Sequence, residues 1–255
     1  MTTRYGDSVT DPLAPLLDLA DVRAALDEAR IAVDTAMRHP ALRRSGGPVA
    51  AEAALRSAVA SAAIEGHEYD PDEVRAGLVI DPVLQGALRV AGALDGLTGL
   101  WLRAPRQALA KLHLLAARGT VPDDEVGRPR VDPAVSVRLD GLAAIVTGES
   151  TAPALLVAAV VHGELLALDA FAGPSGVVAR GAARLSLVAG GLDPRGLLAM
   201  DVGHERRGPE YVGAAGAFAT GTPDGVRSWL RHYATVAEQA AEVLTGIADG
   251  VGRAA

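Results

Sequence analysis

The sequence predicts an all-α protein, on three observations. Alanine, leucine and valine must build the core, because aromatic residues are 3% of the 255 while hydrophobic residues reach 49%. Small aliphatic side chains suit closely packed helices, and alanine and leucine lead the helix scale. Apolar positions recur at helical spacing, as Val22, Leu26, Ala29 and Val33 do. The periodic stretches are also bounded by residues that start and stop helices.

Taken in order, a first helix starts at Asp18 or Asp21 and runs to Ala36, before His39-Pro40, since proline disfavours helical geometry in the residue ahead of it. Ser45 to Pro48 reads as a loop. A second helix runs from about Val49 to Ile64 and closes at Gly66, where glycine takes the left-handed terminal position cheaply. Asp70-Pro71-Asp72-Glu73 opens another with acidic residues in its first turn, where the helix dipole favours them. Gly86–Leu102 and Pro105–Ala117 follow. Pro122, Gly127, Pro129 and Pro133 make 119–133 a loop. Val131, Val135, Val137 and Leu139 alternate briefly, but Leu142, Ile145 and Val146 continue at helical spacing, so this piece is a helix with a short extended lead. Helices over Pro153–Leu168, Val177–Ala189, Pro209–Thr220 and Pro223–Ile247 complete the chain, with Gly173–Gly176 a turn and the last residues frayed.

Composition also excludes. Without cysteine there is no disulfide scaffold, zinc ribbon, thiol nucleophile or iron–sulfur cluster. A net charge of −7 argues against general binding to nucleic acid or anionic membranes. Met1 to Asp7 carries a charge but no apolar run behind it, so no secretory signal is read there. The apolar stretch Ala152–Val161 is short of the roughly 20 residues a membrane helix needs. A cytoplasmic protein is expected.

Most chemical motifs are missing. Asp123-Asp124 has no third acid at metal-binding spacing and reads as a solvated turn. His204-Glu205 lacks the second histidine of a helical zinc site. Neither a phosphate loop nor a Gly-x-Ser-x-Gly elbow is present.

Two stretches stand apart: Ser61-Ala-Ala-Ile-Glu65-Gly66, and His162 to Arg180, which contains Asp169-Ala-Phe171-Ala-Gly173-Pro-Ser-Gly176-Val-Val-Ala-Arg180. Together they resemble the Fic (Fido) family, whose members mostly transfer AMP from ATP to a protein hydroxyl. The family signature is His-Pro-Phe-x-Asp/Glu-Gly-Asn-Gly-Arg-x-x-Arg, and some members carry an inhibitory helix ending Ser/Thr-x-x-x-Glu-Gly/Asn. Ser61, Glu65 and Gly66 match the inhibitory pattern in full, about a hundred residues ahead of the second stretch. His113, Gly127-Arg-Pro-Arg130, His162, Tyr211, Gly225, Trp229 and Ala237-Glu238-Gln239 are similar to other family helices and loops. The likeness spans about residues 50 to 245. It implies a Fic-like helical core over 81–255 and an N-terminal helical extension over 1–80 that carries the inhibitory motif.

The resemblance also shows what is missing. Asp169 stands where the family has its histidine base, and an aspartate is weaker by about two and a half pKa units. Gly173 replaces the acid that holds magnesium. Pro174 has no N–H to present to a phosphate, and Val177 replaces the first arginine. The hairpin that clamps the target in relatives is shortened to almost nothing between Arg130 and Leu139. Phe171 reads as a core anchor. Ser175, Gly176 and Arg180 are left as a residual phosphate or nucleotide site.

Glu65 and Arg180 match the two ends of the pair that inhibits relatives, and a structural salt bridge between N-terminal helix and core is the competing explanation. Three functions remain open: a degenerate Fic protein with weak or absent AMP transfer and a nucleotide site gated by Glu65–Arg180; an active transferase of altered chemistry with Asp169 as base; and a non-catalytic helical module for protein interaction. ATP is the implied ligand or donor, magnesium is doubtful, and a protein target and a homodimer are the implied partners.

Overall fold

The computed structural model describes residues 11–254; the stretch Met1 to Asp7, read above for a leader, lies outside them. Among the described residues the fold is helical throughout, with only a single isolated bridge between Arg118 and Val121. A 3-10 turn at Ala14–Asp18 precedes α1 (Val22–Met37), α2 (Ala41–Arg44), α3 (Gly46–Ile64), α4 (Pro71–Arg75) and α5 (Pro82–Trp101). Then come α6 (Pro105–Ala117), α7 (Pro133–Ala144, continued by a π turn to Glu149), α8 (Ala154–Leu168) and α9 (Ser175–Ala189). The chain ends with α10 (Met200–Arg206), α11 (Gly208–Ala219) and α12 (Pro223–Ala254).

The helix starts repeat one local solution. Asp70, Asp81 and Asp132 each cap a helix whose first residue is proline, accepting from the N–H of Asp72 (2.7 Å), Leu84 (2.8 Å) and Ala134 (2.7 Å). The aspartate satisfies an otherwise orphaned N–H, and the proline sits where its missing N–H costs nothing. The same physics corrects the expected loop at Ser45–Pro48, because α3 already begins at Gly46. Pro48 falls in the first turn, whose N–H groups have no intrahelical partner. Likewise α9 begins at Ser175, inside the expected 173–176 turn. Helix α12 runs past Ile247 to Ala254, where fraying was expected. The short helices α2 and α10 have too few turns for a periodic signal.

Helix α9 is the central element; every residue from Val177 to Leu187 is buried. Helices α5, α6 and α8 surround it, and α3 crosses near its start. Val22, Leu26, Ala29 and Val33 of α1 are all buried, as their spacing predicts, against α12. The buried face of α3 is nearly all small: Ala53, Ser57, Ala58, Ala60, Ser61 and Ala62. Small side chains let helix backbones approach closely, and this brings the end of α3 within reach of Arg180. Among the described residues no helix is long and apolar enough to cross a membrane.

Candidate functional site

The end of α3 meets the beginning of α9 around one guanidinium. Arg180, one turn into α9, is 3% exposed. Its Nε donates to the Ser61 hydroxyl (2.9 Å) and its Nη2 to the Ser61 carbonyl (3.0 Å) and to Glu65 Oε1 (2.7 Å). The Tyr211 hydroxyl faces Nη1 at 3.4 Å, and Asp201 Oδ1 of α10 lies 3.4 Å from Nε. Asp201, 2% exposed, accepts in turn from the Ser57 hydroxyl. Burial alone would lower the Arg180 guanidinium, but Tyr211, Glu65 and Asp201 together raise it above its ordinary value. It is a permanently charged arginine between two carboxylates.

The helix ends reinforce the contact. Gly66 takes a left-handed conformation (φ 90°), and the His67 N–H returns to the Ala62 carbonyl at 3.0 Å, closing α3. Arg180 therefore sits at the negative end of α3. Glu65 lies over the first turn of α9, where a Cβ on Gly176 would overlap its carboxylate. A carboxylate at a helix N-terminus, beside an arginine, occupies the position an anion would take.

The other end of the α8–α9 loop is exposed. Asp169 closes α8 in a left-handed conformation (φ 42°), and Arg130 donates to both its carboxylate and its carbonyl. Gly173 has φ 67°, and a Cβ there would come within 2.6 Å of Val121 Cγ1. An acidic side chain at 173 would meet both backbone strain and a filled space. Among the described residues no group of three His, Cys, Asp or Glu side chains is placed to hold a metal ion. Ser175 is buried, and its N–H is taken by the Gly173 carbonyl at 2.7 Å.

His113 pins this loop from below. The Gly127 N–H donates to His113 Nδ1 (2.9 Å), so Nε2 carries the proton and donates to the Ala172 carbonyl (2.8 Å). Burial holds its pKa below the ordinary value. Phe171, 3% exposed, packs on the His113 ring at 4.8 Å, as a core anchor should.

Behind Arg180 lies a polar aromatic cluster whose members sequence reading did not bring together. His162 Nε2 faces the Tyr211 hydroxyl at 3.0 Å, and His204 Nδ1 faces His232 Nε2 at 3.2 Å. Trp229 closes the cluster and donates to the Ala159 carbonyl at 2.8 Å. Burial, with Arg180 nearby, pushes the pKa of His162 and His204 well down. Burial, with Arg207 nearby, brings that of His232 to about 4.

The structure thus brings Ser61, Glu65, Gly176 and Arg180 together, with Gly66 closing α3 beside them, and leaves Asp169 on a separate, exposed ion pair. Sequence reading missed Ser57, Asp201 and His232 of α12, and weighed His204 of α10 only as a zinc ligand. Asp201 and His204 lie on α10, which carries no periodic signal, and histidines far apart in sequence offer no motif.

No protein-family model and no curated protein matches this chain. Solved structures do match its fold. A Fic family protein from Desulfovibrio desulfuricans G20 superposes with a TM-score of 0.71 at 19% identity, over 87% of this chain and 74% of that one. Fic-1 from C. elegans superposes with a TM-score of 0.70 at 20% identity, over 91% and 74%. A glutamate-to-glycine variant of Fic-1 gives 0.65 at 20% identity, over 91% of this chain and 74% of that chain. The chain has the fold of these Fic proteins.

Proposed function

We propose that this chain is a degenerate Fic-fold protein, with AMP transfer weak or absent, that keeps a phosphate or nucleotide seat at the start of α9 closed by its own Glu65. The observation that carries the proposal is the Glu65 carboxylate, 2.7 Å from Arg180 and lying over Gly176. A phosphate approaching Arg180 must displace that carboxylate. Glu65 is suited to move, since its side chain keeps 23% of its surface exposed and it ends a helix, whereas Arg180 is fixed.

Lost chemistry supports the other half. Asp169 is tied to Arg130 in an exposed ion pair, so its carboxylate is engaged by a neighbouring side chain of the same chain. No side chain at 173 offers a metal ligand, and Pro174 offers no N–H. These same facts count against an active transferase with Asp169 as its base.

Calorimetric titration of ATP, with and without magnesium, into wild type and Glu65→Gly tests the proposal. Binding is expected in the variant and absent in wild type, and indifferent to magnesium. Asp201 still holds Arg180 after Glu65 is removed, so Glu65→Gly combined with Asp201→Asn should bind more tightly still. Absence of binding in all three overturns the nucleotide seat. Asp169→His alone should not produce protein labelling with AMP; robust labelling would overturn the account of lost chemistry.

A further inference from the structure

On the far side of α3 from Arg180 lies a cleft of about 630 Å³, bounded by α3, the 68–75 segment with α4, and α10. Its size is that of a small-molecule or short-peptide site. The floor is apolar: Val59, Ala60 and Ala63 of α3, with Val202 of α10. Tyr69 lines one side, and Glu68, Asp70 and Glu205 stand exposed at the rim.

The basic side chains of this cleft are largely committed. Arg56 and Arg75 share the Glu52 carboxylate at 2.7 and 2.8 Å, and Arg75 also pairs with Asp72, which balances those four residues. That leaves Glu68 and Glu205, with Asp70 still carrying its charge as the cap of α4, against Arg206 alone. An apolar floor, an aromatic side and surplus carboxylates are complementary to one ligand chemistry. An aliphatic stem covers the floor, a guanidinium faces the tyrosine ring, and its N–H groups reach the carboxylates.

We propose that the cleft between α3, α4 and α10 binds a peptide segment that carries arginine between apolar residues. The proposal is independent of the nucleotide seat, because none of the cleft's lining residues contacts Arg180.

The test uses the full chain and two capped tetrapeptides, Leu-Arg-Leu-Arg and its citrulline counterpart, which keeps shape and hydrogen-bonding groups but not charge. Calorimetry should show saturable binding of the arginine peptide, tighter than the citrulline peptide by about tenfold or more and weakened by added salt. Combined Glu68→Lys and Glu205→Lys, both on exposed side chains, should abolish it. The same reversal at Asp123 and Asp124, remote in the 119–133 loop, should leave it intact. Equal binding of both peptides, no binding of either, or a loss of affinity as large from the Asp123 and Asp124 reversals would overturn the proposal. Glu65→Gly should bind the peptide as wild type does, whatever it does with ATP.

Discussion

Two arginine–carboxylate pairs bracket the α8–α9 loop, and they differ in almost everything except chemistry. Arg180 and Glu65 lie 115 positions apart, and the arginine side chain is 2% exposed, held also by Ser61, Tyr211 and Asp201. Arg130 and Asp169 lie on two loops, with side chains 51% and 62% exposed. Burial turns the first into a determinant of how two helices meet, while water screens the second to a surface contact. The buried pair therefore lies in the part of the fold where its loss is costly, and the exposed pair where substitution costs little.

Removing Arg180 should have the largest effect. Arg180→Met leaves Asp201 and Glu65 facing each other without a cation, and breaking such a pair costs about 3–5 kcal/mol. Urea unfolding measures this directly. Adding Glu65→Gln and Asp201→Asn to Arg180→Met should recover much of the loss. If the single substitution costs under about 1 kcal/mol, the buried pair is no stronger than the exposed one and the comparison fails.

Acid should act next, and on the same side of the molecule. His162, His204 and His232 are neutral in the folded protein with their pKa values lowered, so the unfolded chain binds more protons below its ordinary histidine value of 6.5. Their contribution is complete above about pH 6.5 and is lost as pH falls toward the folded values, about 4 for His232. Wild type should lose on the order of 2 kcal/mol more than His232→Gln between pH 7.5 and 5. Parallel urea midpoints for the two proteins across that range would contradict a buried neutral His232.

How much of this was legible in sequence follows from the same division. The Ser61–Glu65–Gly66 and Arg180 positions could be aligned because a helix end and a helix start each keep local spacing. Val22, Leu26, Ala29 and Val33 were readable because one amphipathic face repeats. Asp201 was not readable: its partner Ser57 lies 144 positions away, and α10 has only seven residues. The pairing of Asp169 with Arg130 was equally hidden, because two loops meet only through the fold around His113. Ser45–Pro48 misled because glycine and proline mark loops on average, yet both are tolerated in a first helical turn.

The exposed end also has one internal constraint, at Gly173. Gly173→Asp places an acid in this loop, but at φ 67° and against Val121. It should cost about 1–3 kcal/mol in stability and gain no magnesium affinity. A melting temperature raised by millimolar magnesium in this variant would show that the loop can yield and that an acid at 173 can hold the ion.

Asp169→Asn should have the smallest effect, and it isolates charge cleanly. Asparagine tolerates the left-handed conformation that Asp169 adopts at φ 42°, so the helix closure is preserved. Arg130 also donates to the Asp169 backbone carbonyl, and that bond survives the substitution. What disappears is an exposed ion pair, worth about 0.2–1 kcal/mol and less at high salt. A double-mutant cycle of Asp169→Asn with Arg130→Gln should give a coupling in that range that falls in 1 M salt. The matching cycle of Glu65→Gln with Arg180→Met should give a larger coupling that salt barely changes, because a guanidinium at 2% exposure is out of reach of the ions. Equal couplings with equal salt dependence would mean that burial does not separate the two pairs, and that Glu65 leaves Arg180 as readily as Asp169 leaves Arg130.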